Sequence, residues 1–199
     1  MTDEQKNRHQ LRRQRTRKQL QDAMLELVLE KGIDSIVIQE ITDRADVGRG
    51  TFYFHFKDKE DVLWSIIEDR IQATEKILME NFDGKMPEKP EYYGYVNIFQ
   101  HVDQNKQIYQ MLVSSKGSQE VTNRTKQYMM AETIRDIKTY NVYHEIEQPP
   151  DITAQIVVGL LFSLVFWWIE TPNEYSAADM GAIMYRTLHH REPPILPSI

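Results

Sequence analysis

The run Arg49-Gly50-Thr51-Phe52-Tyr53-Phe54-His55-Phe56 mixes groups that hydrogen-bond nucleic acid with groups that pack a helix. Phe52 and Phe56 stand four apart, so they share one helical face and are expected to lock it to a core. Arg49, Thr51, Tyr53 and His55 fall on the other faces, where their donors and acceptors can meet base edges and phosphates. Gly50 allows close backbone approach, and a helix N-terminus favours a phosphate. The chemistry implied is recognition rather than catalysis. With no Cys, zinc fingers, iron–sulfur clusters and thiol nucleophiles are excluded. His55 has no second ligand at metal spacing nearby, and His144-Glu145 is an isolated pair. His189 and His190, adjacent on a helix, point too far apart to share an ion and read as a solvated helix end. No Gly-rich phosphate loop occurs, so neither an enzyme nor a bound metal or cofactor is expected.

These side chains need elements to hold them. Leu20, Ala23, Met24, Leu27 and Val28 repeat at helical spacing and predict a helix over 16–31, with Thr16 and Gln19 as a capping box and Gly32 as its stop. Ile38, Ile41 and Ala45 share a face of a second helix. The four residues Ala45-Asp46-Val47-Gly48 then make a turn in which Asp46 tolerates a left-handed backbone. A third helix carries the 49–56 run, and Asp58 caps a fourth from Lys59 to Asn81. Two short helices joined by such a turn, behind an amphipathic helix, describe a helix-turn-helix unit.

Residues 83–90, with Gly84, Pro87 and Pro90, read as a linker. Beyond it, helices are expected over 91–100, 103–114, 118–140, 152–169 and 176–190, the eighth capped by Asp151 after two prolines and the last by a Ser176–Asp179 box. The tail 191–199, with three prolines, is expected to be extended. No strand-length alternation appears, so the fold is expected to be all-α. The apolar stretch 152–169 is near the lower limit for a bilayer crossing. It contains Thr153, Gln155 and Ser163 and lacks flanking Lys/Arg, so it reads as a buried bundle helix, with Gly159 and Ser163 permitting close helix approach and no membrane partner.

The net charge of −6 hides an asymmetry: residues 1–20 hold seven Lys/Arg against two acids. An acidic body repels a polyanion at long range, so contact with nucleic acid must be local. The N-terminus has no apolar secretory core, and with Cys absent a soluble, cytoplasmic setting is expected.

The pattern Ile41-x3-Ala45-x-Val47-x-Arg49-Gly50-Thr51-Phe52-Tyr53-x-His55-Phe56-x2-Lys59-Glu60-x2-Leu63 resembles the TetR/AcrR family of transcriptional regulators. The resemblance implies a basic arm and DNA-binding domain over residues 1–60 and a helical regulatory and dimerisation domain over 61–199. It also implies a homodimer that binds a palindromic double-stranded operator as a repressor and is released by a small molecule. Carried over position by position, Arg49, Gly50, Thr51, Tyr53 and His55 would be recognition-helix contacts. Lys59 would reach a phosphate, Gln39 a base or backbone group, and Arg12, Arg13, Arg15 and Arg17 phosphates or the minor groove. The family usually has Gly where Asp46 stands and Ser or Thr where Val37 stands, and loss of that cap costs about 1 kcal/mol.

In the C-terminal part the resemblance implies self-association through residues 152–169 and 176–190. Aromatic and methionine residues there, including Tyr92, Tyr95 and Met111, fill a core on one reading. On the other, Tyr93, Phe99, Tyr109, Tyr128 and Phe162 line an adaptable pocket for an apolar or aromatic inducer. Residues 99–117 are similar to DhaS-like members of the family, which leaves open a coactivator that answers to a partner protein instead.

Overall fold

The computed structural model describes residues 3–81, 89–113, 118–143 and 146–193. The expectations for residues 83–88, Ser114 to Gly117, His144-Glu145 and 194–199 lie outside the described residues. Among the described residues there are nine helices and no strand: α1 (Asp3–Lys31), α2 (Ile38–Arg44), α3 (Arg49–His55), α4 (Lys59–Asn81), α5 (Pro90–Gln104), α6 (Lys106–Val113), α7 (Gln119–Tyr140), α8 (Pro150–Glu170) and α9 (Ala177–His189). The chain divides into two compact units, one of residues 1–69 and 111–122, the other of 70–110 and 123–199.

In the first unit the predicted stripe of α1, Leu20 to Val28, is buried together with Ile33, Ile36, Ile41, Phe52, Phe56 and Leu63. Gly32, at φ 76°, stops the helix, and its N–H donates to the Val28 carbonyl at 2.9 Å. The start of α1 departs from expectation. Thr16 is not a cap but lies inside a helix that begins at Asp3. Residues 3–19 contain no Gly or Pro and are rich in Gln, Arg and Lys, which are good helix formers. Those whose burial is described are exposed, apart from half-buried Thr16 and Arg17, so no apolar period announces them.

The second unit is built on aromatic packing. Helices α5 and α9 meet at Gly181, where a Cβ would lie 2.5 Å from Val96 Cγ2 and 2.9 Å from the Val96 backbone N and Cα. Ser176 and Asp179 form the expected box at the start of α9: Asp179 N–H donates to Ser176 Oγ at 3.1 Å, and Ser176 N–H to Asp179 Oδ2 at 2.9 Å. His189 is not solvated as expected but buried. It stacks on Tyr185 at 4.6 Å and on Tyr143 at 5.8 Å between ring centroids, with the Tyr95 hydroxyl 3.4 Å from Nε2. Phe99 meets Trp168 edge to face at 5.5 Å.

Three further boundaries shift. Helix α5 runs on to Gln104 because His101 and Val102 extend its buried face. Helix α6 then begins at Lys106, after Asn105, whose side chain donates to the His101 carbonyl at 2.8 Å. Helix α8 begins at Pro150, which needs no N–H in the first turn, so Asp151 sits inside the helix and is not its cap. Among the described residues one helix, α8, is long and apolar enough to cross a membrane, yet eight of its residues are buried, as in a core helix. Ile152, Ile156, Ser163 and Trp167 of α8 are exposed. Nothing among the described residues lies within 4 Å of a Cβ built on Gly159, so none of the described helices makes the close approach expected there.

Candidate nucleic-acid interface

Seven-residue helices such as α2 and α3 are too short to be stable alone, so their ends must be fixed from outside. Asp46 takes the left-handed backbone at φ 53° that usually falls to glycine. The reversal is a Schellman arrangement: Val47 N–H donates to the Thr42 carbonyl at 3.0 Å and Asp46 N–H to that of Asp43 at 3.3 Å. Val37 has no acceptor to cap α2. Glu40 reaches back instead, its carboxylate accepting from the Val37 N–H at 3.0 Å while Lys31 pairs with its other oxygen. These two bonds, the lysine first, hold the Glu40 carboxyl below the usual range. Asp58 caps α4 as expected, accepting from Asp61 N–H at 2.8 Å.

Lys59 is placed differently from the phosphate contact that the resemblance implies. Its ammonium donates to the carbonyls of Ile33 at 2.8 Å, Ile36 at 3.0 Å and Asp34 at 3.3 Å. All three protons are thereby engaged, and the lysine latches the start of α4 to the loop between α1 and α2.

On α3, Phe52 is fully buried, and Phe56, which the sequence placed in the helix but which is its extended C-cap, is nearly so. Arg49, Gly50 and Thr51 are exposed, Tyr53 is 59% exposed, and a Cβ on Gly50 would meet nothing within 4 Å. His55 is half-buried, and its imidazole is held below the ordinary histidine value by burial first and then by the charges of Arg13 and Arg17. Near neutral pH it is uncharged, offering one donor and one acceptor. Gln39 is exposed and bridges two residues: its Oε1 accepts from Arg49 Nε at 2.7 Å and its Nε2 donates to the Asp43 carboxylate. Arg17, half-buried, pairs with Asp69 at 3.5 Å and lies 5.1 Å over the Phe56 ring.

Two features of this surface lie outside the sequence expectations. Phe54 is 67% exposed, and Arg13 lies 5.2 Å over its ring, a cation–π contact on the same side of α1 as Arg17. Buried Gln21 donates to Ser65 at 3.0 Å and to Asp69 at 2.6 Å, tying α1 to α4. The first could be suspected from Arg13 and Arg17 standing four apart; the second depends on residues distant in sequence.

Of the five pocket candidates, Phe99 is fully buried, and Tyr93, Tyr109, Tyr128 and Phe162 are half-buried. Tyr109 pairs with His101 Nε2 at 2.8 Å, and Phe162 packs on Phe166 at 5.6 Å. A cleft of about 300 Å³ in the second unit is lined by Asp103, Lys106, Trp168, Glu170, Asn173 and Tyr175 among others, and by none of the five.

A buried-backed helix with an exposed polar face, entered through a Schellman turn, defines a helix-turn-helix unit, the module that one class of DNA-binding proteins uses. Comparison with known proteins narrows the class. Residues 20–66 match the family profile described as bacterial regulatory proteins, tetR family, and residues 92–190 match a transcriptional regulator C-terminal region. The chain is 36% identical over 74 residues to the HTH-type transcriptional regulator AcrR of Shigella flexneri, a match covering 36% of this chain and 34% of that one. The first relatives are thus matched over about a third of their length or less. Over 171 residues it is 23% identical to the fatty acid metabolism regulator protein of Bacillus subtilis, covering 82% and 88% of the two chains. A TetR-family regulator from Syntrophomonas wolfei shares the fold with a TM-score of 0.67 at 18% identity, over 87% of this chain and 92% of that one. The chain belongs to the TetR family of transcriptional regulators, proteins that bind DNA, often as repressors, and are not enzymes.

Proposed function

We propose that this regulator is a ligand-responsive repressor that binds a palindromic operator as a homodimer, placing α3 of each protomer in successive major grooves. The observation that carries this reading is α3 itself, with Phe52 buried behind it and Arg49, Gly50, Thr51 and Tyr53 open to solvent at its start. Arg49, Thr51, Tyr53 and His55 meet bases and phosphates, the backbone at Gly50 approaches closely, and the arginines of α1, Arg17 among them, neutralise phosphates. Lys59 serves the interface by fixing the loop before α2. The exposed row Ile152, Ile156, Ser163 and Trp167 on α8, open above Gly159, supports self-association through α8 and α9.

The inducer is small and apolar or aromatic. The aromatic second unit supports that chemistry, as does the name of the fatty acid regulator matched over most of the chain. Helix α4 runs through both units, and inducer binding acts by moving it, so that the two recognition helices leave the spacing of about 34–36 Å that one DNA turn requires.

Binding of the purified protein to DNA from upstream of its own gene, across a salt series, tests this reading. The expected result is a sequence-selective complex at two chains per site, with a slope of about 0.9 per phosphate neutralised. Weak, unselective binding would overturn it in favour of the coactivator that needs a partner protein.

A further inference from the structure

The contacts around Arg49 have a polarity that generic phosphate binding does not require. A guanidinium only donates and a carboxylate only accepts, whereas a primary amide does both. Gln39 stands between Arg49 and Asp43 with its oxygen toward the arginine Nε, at 2.7 Å, and its nitrogen toward the carboxylate. Flipping the amide would set donor against donor and acceptor against acceptor, so each neighbour fixes the orientation the other needs. With Nε–H engaged, Nη1 and Nη2 remain as a parallel pair of donors on an exposed side chain. That pair matches the O6 and N7 acceptors at the major-groove edge of guanine. Arg49 is the first residue of α3, where a recognition helix meets base edges, and the neighbouring Gly50 leaves the approach open.

We propose that Arg49 is a guanine-reading residue and that Gln39, anchored by Asp43, is a positioning residue that aims it. This rests on the operator-binding reading above and adds the base and the device that selects it. A phosphate contact gains little from a fixed fork, because a phosphate accepts from many directions. A base edge accepts in one plane only, so fixing the guanidinium lowers the ordering cost of the bidentate pair.

The test is selection from a random-sequence duplex library by the full-length protein and by its variants, followed by replacement of single guanines with 7-deazaguanine, which lacks the N7 acceptor. The wild-type chain is expected to fix a guanine at one position of each half-site, and 7-deazaguanine there should weaken binding on the order of 10- to 100-fold. Arg49→Ala should show no such penalty. Gln39→Ala should keep its melting temperature, while its 7-deazaguanine penalty falls to a few-fold. Gln39→Glu alone sets two carboxylates together and should lose discrimination. Adding Asp43→Asn supplies an N–H donor to the new carboxylate and should restore it, a rescue that a purely structural role would not produce. An unchanged penalty in Arg49→Ala would overturn the base assignment and make Arg49 a phosphate contact. An unchanged penalty in Gln39→Ala would overturn the positioning role. No enriched sequence with the wild-type chain would be the distinct failure of the operator-binding reading itself.

Discussion

In the first unit, polar side chains are tied to backbone groups and to each other: Lys59 to three carbonyls, Asp58 and Glu40 to helix-start N–H groups, Gln39 to Arg49 and Asp43. In the second unit the corresponding work is done by rings, with His189 between Tyr185 and Tyr143 and Phe99 against Trp168. Directional bonds fix short helices to within fractions of an ångström, which a surface that reads bases requires. Ring packing holds long helices by shape, and shape can be re-satisfied in more than one way. The contrast teaches that the two units should fail differently when perturbed.

The largest expected effect is acidic and confined to the second unit. Burial first, and then the charge of Arg70, hold the His101 imidazole down at about 4. The unfolded chain takes up this proton near pH 6.5 and the folded chain only near 4. Stability from this group is therefore complete above pH 6.5 and falls as the pH drops through that window, by on the order of 3 kcal/mol. Urea unfolding at pH 7, 5.5 and 4.5 reads it, and His101→Gln should flatten the dependence. Next is Gly181→Val, whose branched Cβ must push α9 off the Val96 backbone. It should destabilise the second unit by about 2 kcal/mol while leaving non-specific DNA affinity in place.

Two smaller changes probe the first unit. Lys59→Met leaves three carbonyls without their partner and should lower stability by about 1–2 kcal/mol with no change in the salt slope of DNA binding. A slope reduced by about 0.9 would instead return Lys59 to a phosphate. Asp46→Gly relieves the left-handed backbone and removes an anion from the turn. Thermal melts should show a gain of up to about 1 kcal/mol, offset in part by the entropy of glycine, and operator affinity should rise.

The reading of the sequence reached the features whose cause is local. Phe52 and Phe56 announce the buried side of α3 by their spacing, Gly32 and Asp46 announce left-handed turns, and Ser176 with Asp179 announces a helix start. It missed what depends on distant partners. Lys59 looks like any exposed lysine until the carbonyls of Ile33, Asp34 and Ile36 fold against it. Adjacent histidines near a helix end look solvated, and the rings of Tyr95 and Tyr143, from other segments, make His189 a core residue. Aromatic composition is the same for a packed core and for a ligand pocket, so Tyr93, Phe99, Tyr109, Tyr128 and Phe162 did not distinguish the two. The first half of α1 escaped because periodicity detects only faces that bury something.

That last feature constrains geometry in a further way. A disordered basic arm can thread the minor groove, but α1 is one helix from Asp3 to Lys31. The minor groove of B-form DNA is about 6 Å wide, and a helix with its side chains is about 10–12 Å across. The arm as folded is too thick to enter, so Arg12, Arg13 and Arg15 can span the groove and touch its walls without sampling its floor. On the proposed operator-binding reading, the arm then contributes adhesion that is blind to base order, and discrimination among sequences falls to α3, a helix of the same thickness that the major groove, about 12 Å wide, can admit.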